Sequence, residues 1–339
     1  MPAGPLLGMA MRFRLLVALT ALVLAVSAEA APPTRIVFVT DWKAQAEHGG
    51  FYEALALGLY KKRGLDVVIR EGGPSVNVAQ LLAGGAADFG IGSNSFVALN
   101  LVKAGVPVRA VMAVFQKDPT ILMTHPRSDV RKLAELRGKP IMISDTSITA
   151  MWPWLKAKYG FEDSQIRKYT FNLAPFLVDK NAVQEGYLTS EPYTVQTQAH
   201  FKPQVFLLAD NGYAVYSNLV LAPQKWIDKK PAAVQAFYDA ARDGWREYLN
   251  GDARPANALI KRDNPEMTDA LIAQAIGKMK SYGIVLSGDA KTFGIGAMTG
   301  PRWRNICASS VAEGLYDKTL PCEKAYDLSF MRGAPQYFE

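Results

Sequence analysis

Three ring side chains follow a single apolar run. After Ile36-Val37-Phe38-Val39 come Trp42, His48 and Tyr52, just ahead of an apolar helical pattern. Aromatic faces such as Trp42 and Tyr52 can hold a flat heteroaromatic ring by stacking, while His48 can donate or accept one hydrogen bond that fixes the ring's orientation. The same residues could equally pack a strand–helix junction. A second group, Ser144, Asp145, Thr146 and Ser147, opens a predicted helix. Hydroxyls and unpaired N–H groups at a helix start suit an acceptor-rich or anionic ligand, although Asp145 opposes a strong anion, and a simple helix cap is the alternative. The three histidines, His48, His125 and His200, are dispersed and lie outside any H-E-x-x-H or G-x-S-x-G context. Neither a metal nor a cofactor nor a catalytic nucleophile is expected.

The elements that must position these groups alternate. Short β-branched runs at 36–40, 66–72, 87–92 and 108–116 are separated by amphipathic stretches, the first of them a predicted helix over 50–64 closed by Gly64. That alternation predicts an α/β fold. A second lobe begins near Leu133, and the chain returns through residues 212–222 to a strongly helical C-terminal third. The expected division is residues 31–128 with 220–339 as a discontinuous first lobe and 129–219 as the second. Crossings near Met123–Arg131 and Tyr213–Ala222 would form a hinge, since no Pro/Ser-rich linker separates the lobes. In such sheets ligands bind beyond the carboxyl ends of strands. Asp41, Trp42, Ser93, Asn94, Gln116 and Ser144 all fall just past predicted strands and would face one crevice.

The first thirty residues read as a targeting segment: Arg12 and Arg14, then the apolar run 15–26, then Ala28-Glu29-Ala30 as a cleavage site. An exported chain with its mature start at Ala31 is expected, in the periplasm. The formal charge is +7, spread over small groups such as Lys61-Lys62-Arg63 and Lys229-Lys230. Nucleic-acid binding would want a concentrated basic face interleaved with aromatics, so it is not expected. Cys307 and Cys322, the only cysteines, lie fifteen positions apart. In an oxidising compartment such a pair reads as one disulfide, with two buried thiols as the alternative.

The run D-W-x(5)-H-G-G-F-Y (41–52), then G-x-x-D-F-G-I-G (85–92), L-x-G-K-P-I (136–141) and Y-L-T-S-E-P-Y (187–193) carry a resemblance. Together they resemble the substrate-binding proteins of ABC importers in the family shared with thiamine-pyrimidine synthesis proteins, from Arg35 to about Asp252. The resemblance implies a two-lobed type II periplasmic binding-protein fold, a monomer, which closes on a small molecule in the cleft and delivers it to an ABC-transporter permease. It implies pocket roles for Trp42, His48 and Tyr52, which match positions lining the pocket in the pyrimidine-binding branch. It also points to Glu191, where the family often carries an acid able to accept from an exocyclic amine, with Tyr187 and Tyr193 beside it; a hinge ion pair is the other reading of Glu191. Tyr213 and Tyr216 on the return crossing either reach the cleft or pack the hinge. A thiamine-pyrimidine precursor is the first expectation, with sulfonate, taurine, nitrate or flavin as alternatives. Enzymes of the same family make the pyrimidine with a lysine and a histidine at positions matched here by Gly92 and Phe96, and with a cysteine cluster where 212–222 has none. A Schiff base needs that lysine, so the synthase reading is disfavoured.

Overall fold

The protein is described by a computed structural model covering Met1 and residues 32–331. The expected leader and its cleavage before Ala31 lie outside the described residues. Among the described residues, ten strands sort into two five-stranded sheets. The first holds β1 (Thr34–Val39), β2 (Leu65–Arg70), β3 (Phe89–Asn94), β4 (Val108–Phe115) and β10 (Ser217–Pro223); the second holds β5 (Thr120–Thr124), β6 (Ile141–Ile143), β7 (Ile166–Lys168), β8 (Val183–Tyr187) and β9 (Gln204–Leu207). The orders are β2-β1-β3-β10-β4 and β7-β6-β8-β5-β9. In the first sheet β1 pairs in parallel with β2 and β3, and β10 runs antiparallel between β3 and β4. In the second, β6 is parallel to β7 and β8, and β5 is antiparallel to β8 and β9. Every residue of β10 is buried, as a strand covered on both faces requires.

The expected lobe boundaries need correcting. Thr120–Thr124 pair with β8 and β9, so the first crossing is Gln116–Pro119, not Met123–Arg131. Asp118 causes the early departure: its carboxylate accepts from the Thr120 N–H at 2.7 Å and folds the chain out of β4. Gln116-Lys117-Asp118-Pro119 interrupts the apolar pattern between β4 and β5, and the chain changes sheet at that break. The return crossing is Leu208–Tyr216, because Ser217 already pairs with Asn94 and Phe115 in the first sheet.

Helix Pro231–Asn250 lies across helix Gly49–Ala56 and explains the two glycines of the H-G-G-F-Y stretch. A Cβ on Gly49 would fall 2.0 Å from the Tyr248 ring and one on Gly50 2.1 Å from the Trp245 ring, so only glycine lets those rings approach. The expected helix over 50–64 ends at Ala56; Gly58, at φ +65°, turns the chain instead. Farther on, Cys307 in helix Gly300–Ala312 is joined to Cys322 in a disulfide. Arg302 of that helix donates to the Gln116 carbonyl at 2.5 Å, to Gln116 Oε1 at 3.0 Å and to the Val215 carbonyl at 3.4 Å. One guanidinium thus ties both crossings together. Among the described residues no helix is long and apolar enough to cross a membrane.

Candidate functional site

Asp41 and Trp42 leave the carboxyl end of β1 in a loop that the first lobe holds tightly. Thr40 Oγ1 donates to the Trp42 carbonyl at 2.7 Å, and Gly72 N–H donates to the same carbonyl at 3.1 Å. A Cβ on Gly72 would lie 2.2 Å from the Thr40 carbonyl oxygen, so this close approach needs glycine. Asn264 Nδ2 donates to the Ala44 carbonyl at 2.8 Å and fixes the loop's far end. The Trp42 ring then reaches across to the second lobe, where it meets Tyr169 (ring centroids 6.4 Å, planes 28° apart) and Phe171 (5.7 Å, edge-on).

The resulting cavity between the sheets is lined by Trp42, Ser93, Asn94, Ser144, Thr146, Ser147, Tyr187 and Glu191 of the expected residues. Asp41, Gln45, Thr120, Met151, Tyr169, Glu185, Gly186 and Ser190 complete much of the wall. About 70 Å³ of it is open to the centre of a water molecule, about five times what one water needs. That is room on the scale of a single small ring.

Among the described residues, three carboxyl-bearing side chains line this space and no lysine or arginine does. Ser93 Oγ donates to Asp41 Oδ2 at 2.6 Å, and His48 Nε2 lies 3.3 Å from Asp41 Oδ1. Glu185, on β8, accepts from the Ser144 N–H at 2.8 Å, the Ser144 hydroxyl at 3.2 Å and the Ser147 hydroxyl. Burial outweighs those bonds and pushes the Glu185 carboxyl up to about 7. Glu191 accepts from the Tyr187 N–H at 2.7 Å and the Tyr169 hydroxyl at 3.1 Å, and burial lifts it to about 7 as well. A Cβ on Gly186 would sit 2.6 Å from Glu191 Oε2, so glycine makes room for the acid. Behind the wall, buried Glu47 accepts from the Thr189 hydroxyl, a bond between the lobes; desolvation raises its carboxyl too. Among the described residues, no group of three or more His, Cys, Asp or Glu side chains is placed to hold a metal ion.

The model of the family described as "NMT1/THI5 like" matches residues 45–254, more than half of the chain. The chain belongs to the NMT1/THI5-like family. The riboflavin-binding protein RibY of Chloroflexus aurantiacus is 22% identical over 317 residues, covering 89% of this chain and 88% of that protein. The formylaminopyrimidine-binding protein of Halalkalibacterium halodurans is 25% identical over 228 residues, 65% of this chain and 68% of that one. Among solved structures, the alkanesulfonate-binding protein SsuA from Xanthomonas axonopodis pv. citri, bound to MOPS, superposes with a TM-score of 0.62 at 14% identity, over 88% of this chain and 99% of that one. The fold is therefore the two-lobed periplasmic binding-protein fold.

In this NMT1/THI5-like chain several expected site residues lie elsewhere. His48 is buried beneath Asp41 and positions that carboxylate, with Nδ1 lacking a partner. Tyr52 is enclosed in the first lobe, its hydroxyl donating to Asp263 at 3.1 Å. Every residue from Gly49 to Ala54 of helix Gly49–Ala56 is buried, so the helix as a whole is packed inside the first lobe and takes Tyr52 with it. Gln116 is spent on the crossing, donating to the Ala297 carbonyl at 2.8 Å and the Ala113 carbonyl at 3.1 Å. Tyr216 donates to Asp289, accepts from Thr299 N–H at 2.8 Å and lies under the Arg302 guanidinium, 4.0 Å from its ring centre. Tyr213 is buried and accepts from Asn94 Nδ2 at 2.9 Å. Tyr193 is on helix Glu191–Gln198, outside the cavity wall. Sequence reasoning missed Tyr169 and Glu185. The second left little signal: Val183-Gln184-Glu185-Gly186-Tyr187 mixes polar and apolar residues and does not read as a buried strand.

Proposed function

We propose that this chain captures a small flat heteroaromatic ligand rich in N–H donors, an aminopyrimidine of the thiamine-precursor kind first, and delivers it to the permease of an ABC importer outside the cytoplasm. The observation that carries this reading is the charge of the wall: Asp41, Glu185 and Glu191 converge on a ring-sized cavity beside Trp42, with no basic residue among them. Carboxyl groups accept hydrogen bonds from an exocyclic amine or a protonated ring nitrogen, and an aromatic face stacks on the ring. A curated relative described as binding formylaminopyrimidine supports the same class. The cavity's size favours one ring over a three-ring flavin within this chamber, although the relative RibY is described as riboflavin-binding.

A sulfonate or nitrate fits less well. The Ser144 and Ser147 hydroxyls, which an oxyanion would need, donate to Glu185. A buried anion facing three carboxyls without a cation would be strongly disfavoured. The synthase reading lacks its lysine at Gly92, and a Cβ there would fall 2.9 Å from the Leu221 side chain. Phe96, in the histidine's place, packs on Tyr213 and Tyr316.

The test is a thermal-shift and calorimetric panel: hydroxymethyl- and formylamino-methylpyrimidines, riboflavin, taurine, an alkanesulfonate and nitrate. A ligand at about one hundred times its Kd stabilises the folded state by about 2.7 kcal/mol, a readily measured shift. Binding of a sulfonate with no response to any aminopyrimidine would refute the proposal.

A further inference from the structure

Beside the ring chamber lies a second and much larger hollow. It offers about 660 Å³ to water centres, against about 70 Å³ in the chamber. One wall is apolar and belongs to the first lobe: Val76 and Ala79 around helix Val78–Ala83, Val97, Leu101 and Ala104 on and just past helix Ser95–Lys103, then Val106. The opposite wall belongs to the second lobe, at Asp145, Thr146 and Thr149. Asn100 Nδ2 donates to the Thr149 carbonyl at 3.0 Å across it, so the groove is made by both lobes together. The two hollows adjoin: Asp41, Ser93 and Thr146 line both.

We infer that this groove takes an apolar substituent carried on the ring that the chamber binds, an inference that rests on the ligand reading above. The ligand would then be a polar aminopyrimidine-type head with a hydrocarbon or aryl extension. A substituent on a ring held in the chamber can pass the shared residues Asp41, Ser93 and Thr146 into the groove. There its atoms would leave water for the valine and alanine wall, while the head keeps its bonds to the carboxyls. Because both lobes form the groove, the extension would contact both. Each buried methylene strengthens binding by about fourfold at most.

The experiment is calorimetric titration of the purified protein with 4-amino-5-hydroxymethyl-2-methylpyrimidine and with n-butyl and benzyl derivatives substituted in turn at each ring position. At least one substituted compound should bind tenfold or more tighter than the parent. Ala104→Trp, which adds bulk at an exposed groove position, should remove that gain and leave the parent's affinity unchanged; Val97→Thr, nearly isosteric, should reduce it. If the parent binds and no derivative gains, or the gain survives Ala104→Trp, the groove inference falls and the ring reading stands. If the parent fails while derivatives bind in a way that Ala104→Trp abolishes, the groove binds an apolar group without the ring, and both the ring reading and the inference built on it fall. If neither binds, both fall. Sedimentation velocity accompanies each variant: a dimer that Ala104→Trp dissociates, with no substituent gain, would assign the groove to a second copy and overturn the inference.

Discussion

Replacing Glu185 by Gln should flatten the pH dependence of stability between about pH 4.5 and 7. Burial raises this carboxyl from 4.5 to about 7 in the folded protein, against the donors on Ser144 and Ser147. Between those values the folded chain holds a proton that the unfolded chain has lost. Stability therefore falls as pH rises through the window, and this group's contribution is constant below and above it. A shift of about 2.5 units at about 1.36 kcal/mol each amounts to about 3 kcal/mol. For about 300 folded residues that is about 5 °C in Tm. Glutamine keeps the shape and still accepts through its carbonyl, while its amide can donate to a serine oxygen, so the hydroxyl cluster can persist. Denaturant unfolding of wild type and Glu185→Gln at pH 4.5, 5.5, 6.5 and 7.5 measures the difference. The wild type should lose about 3 kcal/mol more than the variant across this range, Glu191 contributing its own slope of the same sign to both. Parallel slopes would show that Glu185 does not take up a proton in this range, and the desolvated-acid picture of the cavity would fail.

Other expectations follow from the same geometry. Trp42→Ala should weaken the best aminopyrimidine by about 1–3 kcal/mol, roughly five- to 150-fold in Kd, with Trp42→Phe recovering much of it; a purely structural role would lower the unfolding midpoint and spare affinity. Affinity for a donor-bearing ligand should rise with pH up to about 7 as Glu185 and Glu191 ionise and then level off, whereas calorimetry showing tighter binding at low pH would favour an anion. Arg302→Ala should cost about 2–4 kcal/mol by removing the donors shared by Gln116 and Val215, and should lower ligand affinity by freeing both crossings; urea unfolding and titration read the two effects. Mass analysis of protein from an extracytoplasmic fraction should find a start within a few residues of Ala31.

Much of the fold was legible because it rests on local rules. The β-branched runs, the glycine stops and the Ser144 cap, which accepts from Ser147 N–H at 3.4 Å, all follow from residue type and spacing. The cavity residues at or just past strand ends were legible for the same reason: Trp42, Ser93, Asn94 and Ser144 sit where open α/β sheets put ligands. What failed was direction and pairing. Tyr52 carries the right chemistry but points into the first lobe, and that depends on the long helix Pro231–Asn250 pressing its Trp245 and Tyr248 against Gly50 and Gly49. The Ser144–Ser147 hydroxyls read as donors for a ligand, yet a glutamate on β8, over thirty residues later, consumes them. Contacts between distant segments set both outcomes, and no local pattern encodes them.

On the proposed function, recognition and closure would depend on the same side chains. Trp42 is anchored by Thr40, Gly72 and Asn264's hold on Ala44, all first-lobe groups, yet its ring partners Tyr169 and Phe171 belong to the second lobe. Separating the lobes would strip that ring cluster of its packing and break the Glu47–Thr189 and Asn100–Thr149 bonds. A ligand with a flat face can hold the cluster together by stacking on Trp42, while its donors can compensate the desolvation of the Glu185 and Glu191 carboxyls. An anion can do neither. On the proposed reading the acids would select the ligand through the closure they oppose: with Glu185 and Glu191 ionised, a closed chamber would be stable only around a molecule that brings hydrogen-bond donors to it.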